Sequence, residues 1–148
     1  MKEFITQQIV KSTREFDSLR NFLRKNQLPA DDLSLSNGLY LTYYDSNEAL
    51  VGSGGLEFYG NKTLLRSLAV SQTMRSQSLG RQIVEDLLHQ VKAKNIEEIY
   101  LLTTTAYFFF LKFGFTEIQR EDVPEEIKSS TEFSEVCPAS ARVMKLIL

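Results

Sequence analysis

The 148-residue sequence predicts an α/β protein with helices on both faces of one sheet. Three observations carry this. Residues 39–44, 49–59 and 63–70 (LYLTYY, ALVGSGGLEFY, TLLRSLAV) are β-rich runs, and their joints, DSNE and GNK, are short enough for antiparallel hairpins. Two other segments, 13–26 and 80–94, carry apolar residues at the three-and-four spacing of amphipathic helices. Helices thus alternate with hairpins and crossovers. No repeat, low-complexity tract or linker-like run divides the chain, so residues 1–148 read as one domain.

The elements follow in order. FITQQIV (4–10) reads as a strand. In TREFDSLRNFLRKN (13–26), Phe16, Leu19, Phe22 and Leu23 form one stripe; Thr13 is placed to cap the helix and Pro29 to stop it. The acidic turn PADDL leads into the three β runs. Gly52, Gly54 and Gly55 mark a bulge or a close backbone approach in the middle one. Ile83, Val84, Leu87, Leu88 and Val91 make the second stripe, and Asn95 suits a left-handed stop. IYLLTTT (99–105) reads as a buried strand and AYFFFLKF as a short aromatic helix ending at Gly114. A strand FTEIQR, a helix opened by Asp122 and Pro124, and a closing strand ARVMKLIL complete the chain.

Composition bounds the function. Hydrophobic content of 43 % with 24 % charged residues is that of a globular protein, which excludes disordered and fibrous classes. A net charge of −2 argues against a surface built to grip nucleic acid or an anionic membrane. Cys137 is the only cysteine, so no intrachain disulfide forms, and a reducing cytoplasm is the expected compartment. MKEFITQQIV has no apolar core of a signal peptide, and no run approaches the roughly 20 apolar residues of a membrane span. The expected partner is a small molecule; a homodimer is left open.

The join between the third β run and the second helix is the informative stretch. LLRSLAV breaks into SQTMRSQSL, nine residues with little to bury, before Gly80 opens the helix. A strand feeding a helix N-terminus through small residues presents unpaired N–H groups and the positive end of the macrodipole to an anion. Arg75 and Arg81 flank it and can add charge-assisted contacts. A phosphorylated cofactor suits such a site. The loop has neither the G-K-[ST] of a P-loop nor a GxGxxG, and a capped crossover of no functional meaning has the same outline.

Two motifs resemble those of the GNAT superfamily of acetyl-CoA-dependent N-acetyltransferases. The first, Q/R-x-x-G-x-G/A, is matched by Arg75-Ser76-Gln77-Ser78-Leu79-Gly80, with Ser78 where the first glycine is expected and Ser76 where another is often found. If position 78 requires a positive φ, serine costs more than glycine there. The second, A-x-x-F-Y-x-x-x-G-F, is matched by the segment from Ala106 to Phe115, with Phe109 on the aromatic before the usual tyrosine and Phe110 on the tyrosine itself. GGLEFYG, LLRSLAV, YLLTTTA, VPEEI and CPASA together are similar to the arsenic-resistance-associated N-acetyltransferases, a subgroup thought to acylate amino-acid-like compounds.

The resemblance implies a mixed, mostly antiparallel central sheet with helices on both faces. It also implies transfer of an acetyl group from acetyl-CoA, a co-substrate, to the amine of a small, amino-acid-like acceptor by direct attack in a ternary complex. No metal is implied. Backbone groups of Leu68, Ala69 and Val70 would meet the pantetheine, residues 75–81 (Arg75, Ser76, Gln77, Ser78, Leu79, Gly80 and Arg81) the diphosphate, and Ala106 and Phe109 the acyl channel. A non-catalytic acyl-CoA-binding or sensing module is the alternative.

Catalytic side chains are harder to read. Glu57 alternates with Leu56 and Phe58, so it faces away from them; it is the candidate base, or else a partner of Arg66 or a solvated edge residue. Arg66 is the candidate cation for an acceptor carboxylate, or an ordinary ion-pair member. His89 falls among the polar positions of its helix and reads as a surface residue. Phe110 cannot protonate a leaving thiolate, but a thiol pKa of about 8.5 makes that group tolerable without an acid. Tyr59, Tyr100 and Tyr107 are other hydroxyls, and Cys137 reads as structural, since one thiol is a poor metal site.

Overall fold

The computed structural model describes residues 5–33, 36–130, 133 and 140–148, without the side chains of Arg75, Ser76 and Gln77. Seven strands form one sheet: β1 (Thr6–Ile9), β2 (Gly38–Tyr44), β3 (Leu50–Tyr59), β4 (Lys62–Val70), β5 (Glu98–Thr103), β6 (Thr116–Ile118) and β7 (Arg142–Ile147). Their spatial order is β1-β2-β3-β4-β5-β7-β6. Every neighbouring pair is antiparallel except β4 and β5, which run parallel. Among the described residues the α-helices are α1 (Thr13–Lys25), α2 (Leu79–Ala93) and two short ones, α3 (Tyr107–Leu111) and α4 (Glu125–Lys128).

Local chemistry sets the helix ends. Ser12, not Thr13, caps α1: the Glu15 N–H donates to Ser12 Oγ at 3.1 Å, and the Ser12 N–H donates back to Glu15 Oε1 at 2.9 Å. A reciprocal box satisfies two donors at once, which a lone threonine one residue later would not. Asn95, just past α2, is left-handed at φ +58°, and Gly114 follows α3 at φ +94°. The last third departs from the sequence expectation: β6 holds only three residues, because Arg120–Asp122 wind into a 3-10 turn.

The two long helices take opposite faces. Phe16, Leu19, Phe22 and Leu23 of α1 pack with Tyr40 and Ala69; Ile83, Val84, Leu87 and Val91 of α2 pack with Leu41, Leu56 and Leu65. Successive strand residues point to opposite faces, so Tyr40 and Leu41 divide the two layers. The glycines of β3 allow close approach. A Cβ on Gly54 would lie 2.6 Å from Ile83 Cγ2, and one on Gly55 would lie 2.6 Å from the Tyr40 ring. Leu64, Tyr100 and Val143 form a third cluster under Val123 and Ile127, covered by α4.

Candidate active site

The parallel pairing of β4 with β5 covers only Lys62↔Glu98, Thr63↔Ile99 and Leu64↔Tyr100. Beyond Leu64 the strands part. β4 runs on to Val70 beside β3, while Leu101, Leu102 and Thr103 of β5 pair with β7. The β4 edge therefore borders open space over Leu65–Val70. A bulge sharpens the divergence: Ser53 faces Ala69 and Gly55 faces Arg66, so Gly54 alone opposes both Ser67 and Leu68. Ser67 sits at φ +58°, its carbonyl accepting the Ser53 hydroxyl at 2.7 Å.

Two clefts fill the gap. The first, about 690 Å³, is walled by the end of β4, the start of α2, and α3 with its flanks. The second, about 560 Å³, lies between the Gln27–Asp31 segment, Leu65–Leu68 and residues 101–106. Leu28, Leu68, Thr105 and Ala106 border both, so the two meet across the strand gap. Both volumes lie in the range of small-molecule sites.

Leu68, Ala69, Val70, Ser78, Gly80, Arg81, Ala106 and Phe109 all line the first cleft. Leu79 does not; it is buried, its side chain turned toward Gly52, so only its backbone is near the cleft mouth. The side chains of Arg75, Ser76 and Gln77 lie outside the described residues. Their backbone belongs to a 3-10 turn, Gln72–Gln77, which Met74 anchors by its burial. The loop has more to bury than its sequence suggested.

Ser78 is left-handed, φ +61° and ψ +19°, and its side chain makes no cap to α2. Serine thus occupies a conformation that glycine adopts freely, at a cost of roughly 1–2 kcal/mol. No acidic side chain stands in the first turn of α2, so the N–H groups there keep their positive field. Gly80 has no need of its bareness for packing: a Cβ would meet Phe109 Cζ at 3.6 Å and Val70 Cγ2 at 3.7 Å, ordinary contacts. What a side chain would take is room in the cleft. Arg81 and Lys112 bring cations to this cleft from α2 and from the end of α3, and Glu85, also part of the lining, accepts from Arg81 at 3.2 Å.

The opposite face of β4 carries an ion cluster. Arg66, whose side chain is 0 % exposed, donates from Nη2 to Asp32 Oδ1 at 2.8 Å, from Nη1 to Asp32 Oδ2 and to Glu57 Oε2 (3.0 Å), and from Nε to Ser67 Oγ at 3.2 Å. The Tyr59 hydroxyl donates to Glu57 Oε1 at 2.9 Å. Of the roles open to Glu57, the structure shows the pairing with Arg66, and Glu57 lines neither cleft. Burial, with the Glu57 charge beside it, pushes the Tyr59 phenol up to about 12. Tyr100, held on Glu98, is likewise pushed up by burial. Both are thereby poorer acids. Phe110 is buried against Phe109 and Phe115, and His89 is exposed.

Asp32 is the residue that sequence reasoning missed. A charge inside the apolar run TLLRSLAV needs a partner when buried, and the acidic turn PADDL was the place to look. The position of Lys112 on the cleft wall left no trace in the sequence. Cys137 lies outside the described residues. Among the described residues, no three His, Cys, Asp or Glu side chains are grouped to hold a metal, and no helix is long and apolar enough to cross a membrane.

Residues 6–115 match the acetyltransferase (GNAT) family model, and the chain belongs to that family. It is 31 % identical over 84 residues to an uncharacterized N-acetyltransferase of Chlorobaculum tepidum, covering 56 % of this chain and 54 % of that one. It is 30 % identical over 89 residues to an amino-acid acetyltransferase of Mycobacterium tuberculosis, covering 60 % of this chain and 48 % of the relative. The chain thus spans about half the length of the curated relatives it matches. Among solved structures, a GNAT-family acetyltransferase of Staphylococcus aureus superposes with TM-score 0.72 at 22 % identity over 97 % of this chain and 99 % of that one. An N-acetylglutamate synthase of Neisseria gonorrhoeae, solved with coenzyme A and N-acetyl-glutamate, gives 0.76 at 14 % identity over all of this chain and 36 % of that one. These likenesses establish the mixed, mostly antiparallel fold with helices on both faces that the motifs implied.

Proposed function

We propose that the protein transfers the acetyl group of acetyl-CoA to the amine of a small, amino-acid-like acceptor. The observation that carries this is the parting of β4 from β5 after three paired residues, which opens two clefts that meet beside Leu68 and Ala106. In this reading the cofactor occupies the first cleft. Its diphosphate lies on the N–H groups of residues 76–81, its pantetheine along the free edge of Leu68–Val70, and its thioester near Ala106 and Phe109. The acceptor enters by the second cleft.

The reaction needs little from side chains. The amine lone pair attacks the thioester carbon, the C–N bond forms, and the C–S bond breaks with its electron pair leaving on sulfur. The nitrogen gives its surplus proton to water, and the thiolate takes one from it. An α-amino group has a reference pKa near 7.7–8.0, so a share is neutral at pH 7, and a thiol near 8.5 leaves without an acid. A β4 N–H aimed at the carbonyl oxygen would contribute roughly 3–4 kcal/mol. Glu57 then serves to hold Arg66 in place of acting as the base, and Arg66 is the cation for an acceptor carboxylate. Support for an amino-acid-like acceptor comes from the amino-acid acetyltransferase among the relatives and the resemblance to the arsenic-resistance-associated subgroup. The single cysteine favours a reducing, cytoplasmic setting.

The test is thiol release on mixing the protein with acetyl-CoA and a panel of amines. Turnover with an amino acid or close analogue is expected. Binding of acetyl-CoA by calorimetry without thiol release for any amine would leave an acyl-CoA-binding module, and no binding would leave a structural domain.

A further inference from the structure

We infer that Asp32 is a built-in stand-in for the acceptor's carboxylate, occupying the Arg66 site that the substrate must take over. The inference rests on the acceptor cleft assigned above and deepens it. Arg66 and Glu57 sit on adjacent strands and by themselves form a balanced ion pair of one cation and one anion. Asp32 is a second carboxylate, brought from the connection between α1 and β2, so among the described residues the cluster sets two carboxylates against one guanidinium. Two carboxylates on one guanidinium is a costly arrangement in a site shielded from water, since each anion is desolvated and they repel one another.

The geometry says what the second carboxylate imitates. Asp32 takes Nη1 and Nη2 together, the fork-to-fork pairing by which arginine recognises a free carboxylate. Its segment is also the cleft wall: Leu28, Pro29, Ala30 and Asp31 line the second cleft, and with Asp32 in place nothing of the Arg66 side chain is exposed. A ligand carboxylate can reach the guanidinium only by displacing Asp32. That exchange leaves the number of anions on Arg66 unchanged, so it carries no net charge penalty in the cluster, and the released Asp32 regains water. Acceptors with a carboxylate would therefore draw the Leu28–Leu33 segment off the cleft, whereas plain amines would not.

The test uses Asp32→Ala and Asp32→Asn in the full chain. Melting temperatures are measured in sodium acetate and in sodium chloride at equal ionic strength. Acetate should raise the Tm of Asp32→Ala by at least about 2 °C over chloride and leave the unmodified protein unmoved, because bound ligand stabilises only where its site is vacant. Equal melting in both salts overturns the inference. Should the alanine variant not fold, Asp32→Asn is read by kinetics. For an amino acid acceptor KM should fall roughly tenfold, about 1.4 kcal/mol, while for the decarboxylated amine of the same side chain it stays put. Parallel changes in the two KM values also overturn it. The acetate arm involves no acetyl transfer, so an acetate-specific rise in a protein that acetylates nothing would sink the proposed reaction and leave the carboxylate site standing.

Discussion

Gly80→Glu separates cofactor binding from folding, because the two respond with opposite sign. Gly80 is the second residue of α2, and the space around its missing Cβ is open at 3.6–3.8 Å to Phe109 and Val70. Replacing glycine within a helix recovers roughly 0.5–1 kcal/mol of backbone entropy. A carboxylate in the first turn adds about 0.3–1 kcal/mol through the macrodipole. In a chain of this length, roughly 1 kcal/mol corresponds to about 2–4 °C in Tm, so the variant should melt no lower than the parent and up to a few degrees higher. Binding goes the other way. Two like charges about 5 Å apart at an effective dielectric near 20 repel by about 3 kcal/mol, which weakens affinity more than 100-fold. Gly80→Ala is the control, keeping the stability gain with only the steric loss. The assay is calorimetric titration with acetyl-CoA alongside a thermal melt of the free protein. Undiminished affinity in a folded Gly80→Glu protein would refute the placement of the diphosphate at this helix start.

Ser78→Gly should raise stability by about 0.5–1 kcal/mol, the relief of left-handed strain less the greater freedom of glycine in the unfolded chain; an unchanged denaturation midpoint would deny the strain. Glu57→Gln should cost about 1.5–3 kcal/mol, the worth of a hydrogen bond to a charged partner, while the pH profile of kcat/KM keeps its shape. Loss of the acid-side limb in that profile would restore Glu57 as the base. Tyr59 has its folded pKa raised to about 12, so the stability it contributes is fully present below the unfolded value near 10 and is lost as pH rises through 12. Tyr59→Phe should flatten the alkaline limb of a Tm-against-pH curve between those values; an identical limb would mean that the phenol is not the group titrating.

Periodic patterns were read well because burial on one side is all they require. The α1 stripe of Phe16, Leu19, Phe22 and Leu23 is the buried set, and Asn95 and Gly114 stop their helices in left-handed conformations. The three glycines of β3 announced a close approach, and the side chains of α2 and the ring of Tyr40 fill it. β3 is itself bulged at Val51, beside Gly52, and a second bulge falls one strand over, at Ser67 and Leu68, where no sequence signal marks it. Alternation along β4 cannot predict its faces beyond that point. The parting of β4 and β5 was equally illegible from residues alone, since it depends on which neighbour each strand keeps. Asp32 lies 34 residues from Arg66, and only the fold brings the turn over the strand. Motif matching pointed at the first cleft; the second had to be seen.

A crystal structure with coenzyme A bound tests the central claim most directly. The account predicts the diphosphate on the N–H groups between Ser76 and Arg81, and the pantetheine lying along Leu68–Val70 in the gap between β4 and β5. A nucleotide lodged anywhere else, or that gap closed by the protein's own side chains, would contradict it.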